Sequence, residues 1–364
     1  MPPNRVQSGV NILRGTTESE RKALVRKWRG GELHRLHPNT YIPTAEWRDL
    51  DATARRRVTH LSAVDSREGM VVVGRSAALA WGLDIFDRSP NRDGGRPGPK
   101  SRPSNIENRP RPHAPSPTAG IDVIELAHPT RRNYQTRGAI HERKLTWGPE
   151  DLRRVEGRLV TSVGATVADV TLRHGFDHGL VAADSALRLG YSQIDLARAA
   201  GRSANPRMAL DVVACASRFA DSAAESLMRA QIIEAGLPAP ELQLRVFSAD
   251  GLYIGCVDLA YRGLLAMIEV HGKGKFLGVY GDSDKRSLYE WKRESELLDE
   301  GLAVLRVTWE QIMSGEALRR VREFLEAQRA KVAAGDATTA RFVRAGDRWP
   351  KGFRMPGQRR AGAA

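Results

Sequence analysis

Apolar positions recur at helical spacing in Leu24, Val25 and Trp28. They follow Thr16-Thr17-Glu18-Ser19-Glu20, a helix start with acidic residues in its first turn. Gly30-Gly31 stops that helix. The stretch GELHRLHPNTYIP then predicts two short strands, Leu33 to Leu36 and Thr40 to Ile42, turned by His37-Pro38-Asn39. A helix followed by a basic hairpin is how a winged helix ends. Further on, the spacing predicts a helix from Ala52 to Asp65 and a buried strand from Met70 to Val73. A short helix, Ala77 to Trp81, is capped by Ser76 and stopped by Gly82.

Apolar content almost vanishes over 87–120, where Pro, Gly, Arg and Ser dominate, and the composition predicts a disordered insertion. Order resumes with strands at Ile121 to Leu126 and near Ala139 to His141. A mainly helical stretch follows over 150–215, with apolar positions at Val167, Val170, Leu180, Ala183 and Leu187. No internal repeat is present. The residues after about 331, rich in Gly, Ala and Arg, predict a disordered tail.

The segment 219–330 carries the clearest pattern. Asp221 to Ala235 reads as a helix closed by Gly236 and Pro238. Strands follow at Leu242 to Phe247, Leu252 to Ala260 and Leu264 to Val270, separated by Ser248-Ala249-Asp250-Gly251 and Tyr261-Arg262-Gly263. Ser283 to Glu300 is helical up to Gly301, Ala303 to Thr308 is a strand, and a last helix runs from about Gly315 to Gln328. This α-β-β-β-α-β order joins a meander to a crossover and predicts a mixed sheet covered by helices. The fold class is therefore α/β, α+β over the whole chain. The expected organisation is a winged-helix-like head (12–86), the insertion (87–120), a mixed then helical middle (121–215), the α/β domain (219–330) and the basic tail (331–364).

Composition adds the partner class. The hydrophobic fraction of 41% is enough for globular cores. No apolar run reaches the ~20 residues of a membrane helix, and the N-terminus lacks a signal-peptide core, so the expectation is a cytoplasmic protein with no membrane partner. Cys215 and Cys256 give neither a disulfide framework nor a zinc motif. The net charge is +14. Residues 88–112 hold seven basic residues against Asp93 and Glu107, and 331–364 hold eight against Asp336 and Asp347. Basic segments of this kind attract phosphate backbones, and they also serve solubility alone.

Candidate chemistry follows from strand alternation. Asp258 interrupts the strand with Ile254 and Cys256, and Glu269 interrupts the next strand with Leu265, Met267 and His271. A carboxylate there is costly unless it meets a cation or a partner. Two of them on neighbouring strands suit a Mg²⁺ (or Mn²⁺) held by oxygen, which would activate water against a phosphodiester. Lys273 and Lys275 follow and suit developing phosphate charge. Glu225 on the preceding helix completes the set, or else serves a capping box with Ser222 or a pair with Arg229. GKGK is not a P-loop, since Phe276 follows the last Lys. His174 and His178 are four apart, but Gly175 between them favours a helix end over a zinc pair. Arg35 and His34 in the hairpin are candidates for nucleic-acid contact. Trp81, Trp291 and Trp309 read as packing residues.

The segments SAAESLMRAQIIEAGLPAPELQ (222–243), CVDLAY (256–261), IEVHGKGKF (268–276) and YEWKRESELLDEGLAVLRVTWEQI (289–312) resemble the DUF559 branch of the PD-(D/E)XK superfamily, related to very-short-patch-repair endonucleases. The resemblance implies Asp258 and Glu269 as metal ligands, Glu225 as the helix acid, and Lys275 as the lysine of an E-x-D-G-x-x-K pattern. At the position where these relatives usually carry Asp, this chain has His271, which can contact metal but adds no negative charge. Residues RKWRGGELHRLHPNTYIP (26–43), VVVGRSAALAWGL (71–83), VEGRLVTSVGATVADV (155–170) and GLVAADSALRLG (179–190) resemble AbiEi-type antitoxin proteins of actinobacteria. The expectation is a DNA-binding protein with a metal-dependent endonuclease-like domain in phage defence or a toxin-antitoxin system, with a cognate toxin as a further partner. The alternative is a non-catalytic antitoxin or regulator that uses a degenerate nuclease fold for binding.

Overall fold

The structure, a computed structural model, describes residues 10–67, 69–86, 123–130, 134–271 and 292–356. The chain divides into two compact units, Met1–Cys215 and Ala216–Ala364. The expected insertion 87–120 lies outside the described residues.

The N-terminal unit begins with α1 (Glu18–Arg29), closed at its start by a capping box between Thr17 and Glu20. No residue of α1 is buried. Strands β1 (Leu33–His37) and β2 (Thr40–Pro43) form the expected antiparallel hairpin, with Asn39 at φ +56° in its turn. Helices α2 (Thr44–Asp49) and α3 (Ala52–Ser62) come after the hairpin. Among the described residues α1 is the only helix that precedes it.

Next come β3 (Val71–Val72), α4 (Gly74–Trp81), β4 (Ile124–His128), β5 (Gln135–Arg137), β6 (Ile140–Lys144), β7 (Leu152–Val155) and β8 (Arg158–Thr161). Among the described residues they form a six-stranded sheet of order β5-β6-β4-β3-β8-β7. The two residues of β3 lie between β4 and β8, antiparallel to one and parallel to the other. The head and middle expected as separate regions therefore share one sheet, and the boundary drawn at residue 86 cuts through it. A two-residue strand has no stability of its own, and pairing on both edges supplies it. Val72, Leu126 and Val160 pack with Ala77 and Ala80 of α4 in one buried cluster. Helices α5 (Val163–His174), α6 (Phe176–Arg188), α7 (Gln193–Gly201) and α8 (Pro206–Cys215) complete the unit.

The start of α4 departs from expectation. Its N-cap is Val73, without a side-chain cap. The missing cap comes from a distant strand: Oε2 of buried Glu125 accepts from the Arg75 amide at 2.7 Å. Ser76, expected as the cap, instead accepts from the Glu125 amide at 2.8 Å and lies 2.8 Å from His60 Nδ1. His174 and His178 are structural, as Gly175 suggested: Nε2 of His174 lies 2.8 Å from Glu125 Oε1, and His178 stacks on Phe86 at 3.9 Å.

His60 carries a pH consequence. Burial pushes its imidazole down to about 4 from the ordinary 6.5. Between those values the unfolded chain takes up a proton that the folded chain refuses. Stability is therefore unaffected above about pH 6.5 and falls as pH drops toward 4, by about 3 kcal/mol in total. Urea midpoints followed from pH 7 to pH 4.5 should show this slope in the wild type and a flatter one in His60→Gln. Parallel slopes would remove His60 as the cause.

The C-terminal unit follows the predicted order closely: α9 (Ala223–Glu234), β9 (Glu241–Phe247), β10 (Tyr253–Tyr261), β11 (Ala266–His271), α10 (described over 292–299), β12 (Ala303–Thr308), α11 (Trp309–Ser314) and α12 (Glu316–Ala333). A further strand, β13 (Arg341–Val343), gives a sheet of order β12-β11-β10-β9-β13. The pairing is antiparallel except between β11 and β12.

The tail expected to be disordered from 331 is instead part of this unit through residue 356. The last turn of α12 reaches Ala333, β13 pairs with β9, and the Tyr253 amide donates to the Arg354 carbonyl at 2.9 Å. Trp349 and Phe353 close over Phe247, at 5.0 and 4.5 Å between ring centroids. Composition averaged over 331–364 hid these aromatic anchors, which supply the apolar burial that Gly, Ala and Arg lack. Among the described residues no helix is long and apolar enough to cross a membrane.

Candidate functional site

The acidic residues singled out from sequence lie where β10 meets its neighbours. Its ladder with β11 joins Tyr261 to Ala266, Ala260 to Met267 and Leu259 to Ile268, and then stops. One step further the register would oppose Asp258 and Glu269. Instead, Oδ2 of Asp258 accepts from the Val270 amide at 2.8 Å, so a side chain takes over from the strand ladder.

Gln243 of β9 organises the acids. Its backbone has φ +46°, a left-handed conformation uncommon outside glycine. Its Nε2 donates to Glu225 Oε2 at 3.0 Å and Asp258 Oδ1 at 3.3 Å, while its Oε1 accepts from Cys256 Sγ at 3.2 Å. Glu225, buried at the start of α9, does not close the expected capping box, since the amide it accepts from is that of Asp221 and not that of Ser222. Ser222 Oγ donates to Oε1 at 2.7 Å, and the Asp221 amide donates to Oε2 at 2.9 Å. Burial, and then the nearby Asp258 charge, push the Glu225 carboxyl up. Burial likewise pushes the Cys256 thiol up to about 11, which keeps it protonated and inert at neutral pH.

Glu269 is held separately. Its buried carboxylate contacts Arg293 through Oε1 and lies 3.6 Å from Arg306 Nε through Oε2. Arg293 also donates to the Cys256 carbonyl at 3.3 Å. Its side chain crosses the sheet over Gly255, where an added Cβ would lie 2.8 Å from Arg293 Cδ. Arg306 sits beside Glu269 in the parallel register and pairs with Glu294 at 2.8 Å. His271 ends β11, half-buried, opposite Thr308. Lys273 and Lys275 lie outside the described residues.

This donor set does not fit a hard divalent cation. Such an ion takes six or more oxygens, and Mg²⁺ usually meets one or two carboxylates free to bind it, with waters or substrate phosphates making up the rest. Here Glu225 and Asp258 share an amide, and Glu269 is neutralised by guanidinium groups. Among the described residues no group of three or more His, Cys, Asp or Glu side chains could hold a metal ion. The expected set of Asp258, Glu269 and His271 around one Mg²⁺ is thus not gathered.

The hairpin residues are engaged as well. His34 stacks on Trp47 at 4.2 Å with nearly parallel planes, and Arg55 lies 5.4 Å from the same ring. Burial, then Arg55, lower the His34 pKa and favour the neutral ring. Arg35 lies 5.1 Å from the centre of the Trp28 ring, which remains 36% exposed. Arg35 and Trp28, beside the five basic residues of α1, make the more accessible cationic and aromatic surface.

Sequence reasoning missed Gln243, Arg293 and Arg306. Arg306 had a visible signal, since it breaks an otherwise apolar strand in the same way as Asp258 and Glu269. Comparisons with protein-family profiles, curated proteins and solved structures gave no match to the chain.

Proposed function

We propose that this protein binds nucleic acid, and that its C-terminal unit is a nuclease-like fold used for binding without metal-dependent hydrolysis. The observation that carries the second half is the cation on Glu269: two arginines stand where a hydrolytic site needs a metal ion. A guanidinium neutralises a buried carboxylate permanently, and it activates no water. The charge of +14 and the basic surface of α1 and β1 support the first half. A non-catalytic regulator or antitoxin, acting on DNA and answering to a cognate toxin, is the setting this suits.

The rival reading, a Mg²⁺-dependent DNA endonuclease, is favoured by a specific feature: Asp258 and Glu269 flank the point at which the β10–β11 ladder ends. The deciding assay offers plasmid, single-stranded DNA and RNA with Mg²⁺ and with Mn²⁺ to wild type, Glu269→Ala and His271→Asp. The regulator reading expects no cleavage and no metal-induced rise in Tm in any of them. Cleavage by wild type that Glu269→Ala abolishes would replace it with the enzyme. In parallel, removing 88–112 should flatten the salt dependence of DNA binding, because up to about seven phosphate contacts would go with it. An unchanged slope would place the contacts on the folded units.

A further inference from the structure

A groove with a volume of about 550 Å³ lies in the N-terminal unit. Its floor is apolar, made by Leu50, Val58, Leu79 and Leu83. Its rim carries the carboxylates of Glu46, Asp49, Asp51 and Asp84. Arg57 also borders it, but that guanidinium is directed to Glu156 at 2.7 Å and to the Ala80 carbonyl at 3.2 Å. The C-terminal end of α4 closes one side at Gly82, which adds the negative end of a helix dipole.

The rim acids differ in their internal use. Asp51 caps α3 through the Ala54 amide at 2.7 Å, Glu46 accepts from the Asn11 amide at 3.0 Å, and Asp84 pairs with Arg188. Asp49 is exposed, and among the described residues it has neither a hydrogen bond nor an ion pair. In a chain of net charge +14, four carboxylates around an apolar floor form a local inversion of charge. Those carboxylates attract a cationic ligand to the groove.

We propose that this groove is a docking site for a partner polypeptide segment that presents bulky aliphatic side chains next to lysine or arginine. The aliphatic side chains fill the floor and the cations meet the rim, Asp49 first. The volume suits a few side chains, within the range of ordinary ligand clefts. Charge complementarity selects a cationic peptide over an acidic or neutral one. The proposal does not depend on the nucleic-acid reading, since it calls for a ligand of opposite charge held by other side chains.

The test uses the full chain and a labelled peptide of three Leu-Lys-Lys-Leu repeats, followed by fluorescence anisotropy at low salt. Control peptides carry Glu in place of Lys, or Gly in place of Leu. The Lys peptide should bind and both controls should not. Asp49→Lys should weaken binding about three- to fivefold, as expected for one rim charge. Ala54→Trp, which fills the groove from α3, should weaken it by roughly tenfold or more. Asp49 is exposed, so its variant remains decisive even if Ala54→Trp melts early. Failure of the Lys peptide to bind, equal binding of the Glu peptide, or unchanged affinity in Asp49→Lys would each overturn the proposal. Self-association abolished by Ala54→Trp without any peptide binding would assign the groove to a second copy and likewise overturn it.

Discussion

Truncation after Ala340 is expected to lower the stability of the C-terminal unit by about 4 kcal/mol or more and to open it to proteolysis. The removed residues include all of β13, so β9 loses the partner along one edge. They include Val343, which is buried, and the rings of Trp349 and Phe353 that close over the fully buried Phe247. They also include Arg354, whose carbonyl accepts from Tyr253 and whose guanidinium meets Asp250 at 2.8 Å. Burying one such ring contributes about 1.5–3 kcal/mol, and an unpaired strand edge invites aggregation besides. The single change Trp349→Ala, at a half-buried ring, should cost about 2 kcal/mol. Urea unfolding of full-length, truncated and Trp349→Ala chains checks the series. A truncated chain with the wild-type midpoint would mean that these residues add nothing to the unit, contrary to the packing described.

Gly74→Ala should be the most damaging single methyl group in the N-terminal unit, at about 3–5 kcal/mol, or a fall in Tm of roughly 10 °C. Gly74 has φ +56°, and a Cβ there would sit 1.7 Å from Glu125 Oε2. The carboxylate cannot move aside freely. It caps α4 through the Arg75 amide, meets His174, and lies 3.6 Å from Arg75 Nε. Burial alone would raise its pKa, but His174, Arg75 and Arg143 reverse that and hold it well below the usual carboxylate range. Displacing it leaves a buried charge and its partners unmatched. The control is Glu125→Ala, which removes the carboxylate and makes room for the methyl group. The double variant should therefore fall short of the sum of the singles. Strict additivity would show that the two residues act independently.

The C-terminal unit was the more legible part of the chain because its signals are local. Alternation in 253–261 and 266–271, with Gly236 and Gly301 as stops, places β9 to β12 to within a residue or two, whereas β13 was not foreseen. The hairpin at 33–43 was equally plain. What escaped were features whose partners are remote. A two-residue strand such as β3 has no periodicity to detect. The cap of α4 comes from Glu125, about fifty residues away, so Ser76 was the reasonable local choice. Buried acids at 258 and 269 correctly implied neutralising partners, since a bare carboxylate inside a sheet is costly. Sequence could not say whether those partners were metal ions or protein groups. In the structure an amide from β9 lies against Asp258, and guanidinium groups from α10 and β12 lie against Glu269.

The central position of β3 also bears on how the chain is made. Val72 pairs with Leu126 on one side and with Val160 on the other. A ribosome emitting the chain from its N-terminus releases β3 long before either neighbour exists. About ninety residues separate Val72 from Val160, which at common synthesis rates is roughly 5–20 s of waiting. Until β4 emerges both edges of β3 lack their final cover, and from then until β8 emerges one edge still does. The N-terminal unit therefore cannot close segment by segment as it emerges. It must wait for β8, and a pause in translation between residues 72 and 160 would lengthen its most aggregation-prone period.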